Sequence, residues 1–165
     1  PMLARHYTER KFAGPDLVVV SPDLGSVQRA RNFAARLGAP LAIIDKRRPR
    51  ANMAEVVNII GDIKGKRTIL VDDLIDTGGT IIKGAEALMS AGATKVYACS
   101  THGVLSGDAV ERFERSCITE LVITNSIPLT NKAQSSKIRV LSIAPLFAHA
   151  IRRIYENMSM TLLYD

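Results

Sequence analysis

The segment that most constrains this chain is Thr68-Ile-Leu-Val-Asp-Asp-Leu-Ile-Asp-Thr-Gly-Gly-Thr80. Its opening run, Thr68 to Val71, reads as a buried strand. That strand is expected to end in two adjacent carboxylates, Asp72 and Asp73. A turn containing Gly78 and Gly79 then opens a helix over Gly79 to Ala91. Gly92 closes the helix, and Ile82, Ala85, Leu88 and Met89 are expected to face inward. Glycines let backbone N–H groups approach an anion closely, and a helix start adds the positive end of its dipole. Thr77 and Thr80 offer hydroxyls to phosphate oxygens, each bond to a charged group being worth about 1.5–3 kcal/mol. Acids beside a phosphate site are suited to accept hydrogen bonds from ribose hydroxyls. The bland reading, an acidic turn before a capped helix, explains any one of these residues but not the whole string. Gly61 to Lys66 lacks the Walker A spacing, so an ordinary P-loop is excluded.

Around this string, short apolar runs alternate with segments of helical period. Strands are expected at Leu17 to Val20, Leu41 to Ile44, Lys95 to Cys99, Glu120 to Thr124 and Ile138 to Ile143. Val56 to Ile63 is strand or short helix, which periodicity cannot decide. Helices are expected where Val27, Ala30, Phe33, Ala34 and Leu37 share a face, ended by Gly38, and over Gly107 to Arg115. A last helix, Pro145 to Asn157, carries Leu146, Ala150, Ile151 and Ile154 on one side. Alternating strands and helices predict an α/β domain with a mostly parallel sheet flanked by helices. Such sheets bind ligands beyond the carboxyl ends of their strands. The chemically loaded residues gather there: Ser21-Pro22-Asp23, Asp45-Lys46, Asp72-Asp73 and Thr101-His102 each follow an expected strand.

Two of those loops carry chemistry of their own. Asp45 to Met53 holds Lys46, Arg47, Arg48 and Arg50 with little apolar matter, and reads as a cationic loop. Arg forks match phosphate oxygens and Lys acts as a mobile point charge, so such a loop beside a phosphate site can stabilise phosphoryl transfer. The plain alternative is a solvated charge run. Asp23, followed by Arg29 and Arg31, is either an N-capping residue or a ligand for Mg2+, which prefers few carboxylates, water and substrate oxygens.

The Thr68 to Thr80 string is similar to the phosphoribosyl pyrophosphate motif of type I phosphoribosyltransferases and ribose-phosphate pyrophosphokinases. The resemblance implies that Asp72 and Asp73 face the ribose hydroxyls, and that Asp76, Thr77, Gly78, Gly79 and Thr80 hold the 5-phosphate. The Asp45 to Arg50 run resembles the flexible catalytic loop of class I ribose-phosphate pyrophosphokinases, which ordinary phosphoribosyltransferases lack. By that match, Lys46 and Arg48 are the catalytic pair stabilising the transferred group. Ser21 to Val27 resembles the string whose Asp ligates Mg2+, which makes Asp23 the metal ligand. Ser26 stands where the family pattern has a second glycine. Thr101 to Gly107 resembles a further family loop. Ser159 to Asp165 resembles the carboxyl-terminal segment near the family's regulatory nucleotide and phosphate site.

The resemblance spans Leu17 to Asp165 and implies a type I phosphoribosyltransferase-like fold. It implies transfer of the diphosphoryl group of ATP to the anomeric hydroxyl of ribose 5-phosphate, giving phosphoribosyl pyrophosphate and AMP. Family members are about twice this long. This chain is therefore expected to be the carboxyl-terminal half, lacking an amino-terminal domain that supplies adenine contacts and a His ligand to Mg2+. Residues 1–14 are expected to be a residual linker or helix from that upstream domain, with Met2, Leu3 and Tyr7 on a face without a nearby partner. Residues 15–165 then form the ribose 5-phosphate-binding domain. The family also implies a homo-oligomer, a hexamer in its known members; with only Cys99 and Cys117, a reducing cytoplasm is the default location.

Composition narrows the alternatives. Apolar residues are 47% of the 165, enough for a packed core. No run approaches the roughly 18 apolar residues of a membrane-spanning helix. The net charge is +6, but aromatic residues are only 5% and none interleaves with the cationic run, which argues against nucleic acid. Cys99 and Cys117 are too few for a disulfide framework and, with His102, too sparse for zinc; both cysteines read as core. Two other functions remain. One is a phosphoribosyltransferase consuming phosphoribosyl pyrophosphate. The other is a non-catalytic regulatory subunit of the pyrophosphokinase.

Overall fold

The structure, a computed structural model, describes residues 1–12, 14–47, 56–129 and 135–163. Seven strands form one sheet in the order β3-β2-β1-β4-β5-β6-β7. They are β1 Leu17–Ser21, β2 Leu41–Arg47, β3 Val56–Ile60, β4 Arg67–Ile75, β5 Lys95–Gly103, β6 Ile118–Thr124 and β7 Ile138–Leu141. All neighbours pair in parallel except β2 with β3, which pair antiparallel at one edge. The helices are α1 Met2–Glu9, α2 Val27–Leu37, α3 Gly79–Ser90, α4 Ala109–Arg115 and α5 Ala144–Tyr155.

The central strands are buried on both faces, which is why they read as unbroken apolar runs rather than alternations. Their side chains still divide by parity. Leu17, Val19, Ile69, Val71, Tyr97 and Cys99 pack with Tyr7 of α1, with Phe12 just after it, and with Ala30, Phe33 and Leu37 of α2. Val18, Val20, Leu70, Ala98, Leu121 and Ile123 pack with α3 and α4 through Ile81, Ile82, Ala85, Leu88, Ala109 and Phe113. Helix ends follow their glycines: Gly38 takes the left-handed conformation at φ 61°, and Gly92 sits at φ 95° just past α3.

Several expectations are corrected. The α1 helix does have a partner: Tyr7 is fully buried, and its hydroxyl donates to the Ala98 carbonyl at 3.4 Å. On α3, Met89 is exposed and Ile81 takes the inward place, because the helix presents residues 81, 82, 85 and 88 to the sheet. Of Val56 to Ile63, the first part is strand, Val56–Ile60, and residues 61–63 lie outside it. Asp45, Lys46 and Arg47 are not loop; they continue β2, because β3 pairs back along it as far as Arg47–Val56. Cys117 is exposed, whereas Cys99 is core. The apolar face of α5 lies at the surface: Leu146, Phe147, Ile151, Ile154 and Tyr155 are all exposed. Among the described residues, no helix is long and apolar enough to cross a membrane.

Candidate functional site

The strand carrying the acids outruns its neighbour. β1 pairs with β4 only as far as Val20–Leu70, while β5 stays paired through Asp72–Ser100, Leu74–His102 and Ile75–Gly103. Asp72 and Asp73 therefore lie within β4, not after it, on a stretch flanked by β5 alone. Thr101 and His102 are likewise within β5 rather than in a loop. The space left beyond β1 is occupied by the turn into α2. In that turn Ser21 Oγ donates to the Asp23 carbonyl at 2.7 Å, and Asp23 Oδ1 accepts the Ser26 N–H at 2.8 Å. Asp23 is not the N-cap, which is Ser26 without a side-chain cap bond; its carboxylate instead accepts within the turn that leads into α2. Ser26 adopts φ −91°, ψ 0°, open to any residue, so the turn forms without a second glycine.

The α2 helix then sends Arg29 across to β4. Its Nη1 donates to Asp72 Oδ1 at 3.2 Å and to Ser26 Oγ at 3.1 Å, and its Nη2 donates to Asp73 Oδ2 at 2.7 Å. Asp72 Oδ1 also accepts from the Asp73 N–H at 2.9 Å and from Ser26 Oγ at 3.4 Å. Among the described residues, one oxygen of each acid, Asp72 Oδ2 and Asp73 Oδ1, thus has no protein donor. Burial, with the Asp73 and Asp23 carboxylates nearby, pushes the Asp72 carboxyl above its ordinary value although it accepts the Asp73 N–H. Beneath it, burial and the Asp72 charge hold the Cys99 thiol protonated.

Past Ile75 the chain turns into α3. Gly78 is the N-cap, left-handed at φ 74°. A Cβ there would lie 2.7 Å from Phe113 Cε2, so α4 packs directly against the turn. The loop before α4 and α4 itself tie down the turn's polar groups. Ser106 Oγ donates to Asp76 Oδ1, and Arg112 Nη1 donates to the Thr77 carbonyl at 3.1 Å. Thr77 and Thr80 are exposed, as a ligand-facing turn requires. The Ser100 hydroxyl donates to the carbonyls of Asp73 and His102, at 2.9 and 3.0 Å, stiffening the β4–β5 extension. His102 Nδ1 lies 2.8 Å from Ser126 Oγ.

Of the residues singled out from sequence, Asp72, Asp73 and Asp76 to Thr80 lie on one continuous β4–turn–α3 unit. The Asp23 turn is joined to this unit through Ser26 and Arg29. Lys46 lies on β2, paired with Val57. Arg48, Arg50 and the rest of the expected loop to Met53 lie outside the described residues. Among the described residues, no group of three or more His, Cys, Asp or Glu gathers to hold a metal. A Mg2+ that draws mainly on water and substrate oxygens needs no such cage, so one carboxylate from Asp23 remains chemically suitable. Sequence reasoning assigned no role to Arg29, Ser106 or Arg112. Arg29 did carry a signal, since a cation in the first turn of a helix opposes the dipole.

Residues 48–165 match the family described as the phosphoribosyl synthetase-associated domain. A ribose-phosphate pyrophosphokinase of Caldanaerobacter subterraneus subsp. tengcongensis is 61% identical over 99% of this chain and 52% of that protein. One from Clostridium acetobutylicum is 56% identical over 100% of this chain and 52% of that protein. The chain spans about half the length of these relatives. Among solved structures, the phosphoribosylpyrophosphate synthetase from Mycobacterium smegmatis matches with a TM-score of 0.81 and 42% identity, over 94% of this chain and 49% of that one. The APRTase from Giardia lamblia matches with a TM-score of 0.58 at 18% identity, over 74% of each chain. That second likeness concerns the fold, which is the type I phosphoribosyltransferase-like α/β arrangement.

Proposed function

The chain belongs to the phosphoribosyl synthetase-associated domain family, and from that premise we propose that it is the ribose 5-phosphate-binding half of a ribose-phosphate diphosphokinase. The observation that carries the reading is the pair of open carboxylate oxygens on Asp72 and Asp73, a few residues before a glycine turn that opens a helix. A vicinal diol offers two donors, and Asp72 Oδ2 and Asp73 Oδ1 offer two acceptors. The Asp76 to Thr80 turn, with exposed threonine hydroxyls and the N-terminus of α3, suits the 5-phosphate at the other end of the same sugar.

In the reaction we propose for the whole protein, the anomeric hydroxyl attacks the β-phosphorus of ATP and AMP leaves. Binding of the sugar at both ends orients that hydroxyl. Lys46 and Arg48 are proposed to stabilise charge on the transferred group. Asp23 is the residue proposed to hold Mg2+, which when bound neutralises phosphate oxygens. No covalent nucleophile is needed.

The relatives carry about as much sequence again as this chain, and we propose that the additional half supplies the adenine contacts. The exposed apolar face of α5 supports a partner surface, and that half is the occupant we propose for it. Assembly into an oligomer in the cytoplasm belongs to the same proposal. The isolated 165-residue chain is accordingly predicted to bind ribose 5-phosphate but to release little AMP from ATP. Robust AMP production by it would overturn that division of labour.

The direct test is calorimetric titration of ribose 5-phosphate with Mg2+ into the wild type and into Asp72→Asn/Asp73→Asn. Binding that the double variant loses supports the reading. Absence of binding to folded wild type removes it. Base-dependent release of pyrophosphate would restore the phosphoribosyltransferase alternative. In the full-length protein, unchanged activity on Lys46→Ala would favour a regulatory subunit.

A further inference from the structure

We infer that Arg29 is a positioning residue for the sugar: it spans Asp72 and Asp73 and engages one oxygen of each, leaving the other oxygen of each as an acceptor for the diol. This rests on the proposal that those acids receive ribose. Two adjacent carboxylates repel one another, and Asp23 adds a third nearby. Without a counter-cation, the side chains of Asp72 and Asp73 are free to rotate apart or to take up a proton. Either change loses an acceptor. The planar guanidinium opposes both with a single group. Nη1 meets Asp72 Oδ1 at 3.2 Å and Nη2 meets Asp73 Oδ2 at 2.7 Å, so the fork sets the two carboxylates relative to each other. Its third contact, to Ser26 Oγ at 3.1 Å, ties the same fork to the turn that carries Asp23.

The contacts are built for geometry more than for stability. The Arg29 side chain is 39% exposed and that of Asp73 60%, and exposed ion pairs contribute little to folding. A lysine keeps the charge but, as a point charge, cannot engage both acids in a fixed fork. Arg29→Lys and Arg29→Ala therefore separate charge from geometry.

The test is calorimetry on the 165-residue chain, with ribose 5-phosphate and inorganic phosphate as separate probes, for wild type, Arg29→Ala, Arg29→Lys and Asp72→Asn/Asp73→Asn. We expect Arg29→Ala to weaken ribose 5-phosphate binding about tenfold or more and Arg29→Lys to recover only part of it. Inorganic phosphate, which needs only the Thr77 to Thr80 turn, should bind all four proteins alike. Sugar-phosphate affinity within twofold of wild type in Arg29→Ala, with binding still lost in Asp72→Asn/Asp73→Asn, overturns the inference and leaves the site reading standing. Parallel loss of both probes in Arg29→Ala makes its role structural and also overturns it. Unaltered binding in Asp72→Asn/Asp73→Asn overturns the site reading and this inference with it.

Discussion

At the scale of single residues, Gly78 and Glu120 show how much one position can decide. Gly78 is left-handed, and its missing Cβ is the space that Phe113 fills. Gly78→Ala combines an unfavourable backbone conformation with overpacking, for a loss of about 2–4 kcal/mol in urea unfolding. Glu120 lies between two guanidiniums, Arg10 at 2.6 Å and Arg139 at 2.9 Å. Burial opposes its charge, but the two ion pairs prevail and hold its carboxyl below the usual range. A carboxyl depressed by folding contributes stability above its unfolded value, near about pH 4.3, and loses it as pH falls through the folded value. Thermal unfolding should therefore show an acid loss below about pH 4 in wild type that is smaller in Glu120→Gln. Equal acid loss in the two proteins would count against this.

At the scale of elements, the site depends on strands ending at different heights. Because β1 stops at Ser21 while β4 and β5 continue, the acids gain a ladder on one side and an open edge on the other. Thr68 to Val71 was legible as a strand because both its faces are buried. The extension to Ile75 was not, because Asp72 to Leu74 look like the start of a turn until β5 is known to run alongside. The same holds for Asp45 to Arg47, whose strand is imposed by β3. The brace from α4 is equally tertiary: Arg112 and Phe113 are distant in sequence from the turn they support. Arg112→Ala should speed amide exchange at Thr77 to Thr80 severalfold while shifting the melting temperature only slightly. Unchanged exchange there would mean that the Thr77 carbonyl contact does not hold the turn.

At the scale of the whole molecule, the two faces of the sheet are filled differently from what α5 does. The α1–α2 and α3–α4 layers bury the sheet, whereas α5 carries its apolar stripe to the surface, with Ile151 66% and Ile154 65% exposed. A patch of that kind marks an interaction surface. The 165-residue chain should bind a hydrophobic dye and self-associate at raised concentration. Ile151→Glu/Ile154→Glu should reduce both without lowering the melting temperature. A lowered melting temperature would instead mean that α5 is held within the domain.

The amino-acid order alone was enough for the α/β class, most strands and helices, the acid–glycine string and the family resemblance, because these depend on local period, turn chemistry and residues consecutive in the chain. It also marked α5 as amphipathic, yet gave no means of telling an inward stripe from an outward one. Only the folded chain joined Asp23, Ser26 and Arg29 to Asp72 and Asp73, and buried Tyr7 against β5. Those outcomes depend on strand register and on which surfaces meet across many residues, and neither is written in any short stretch of sequence.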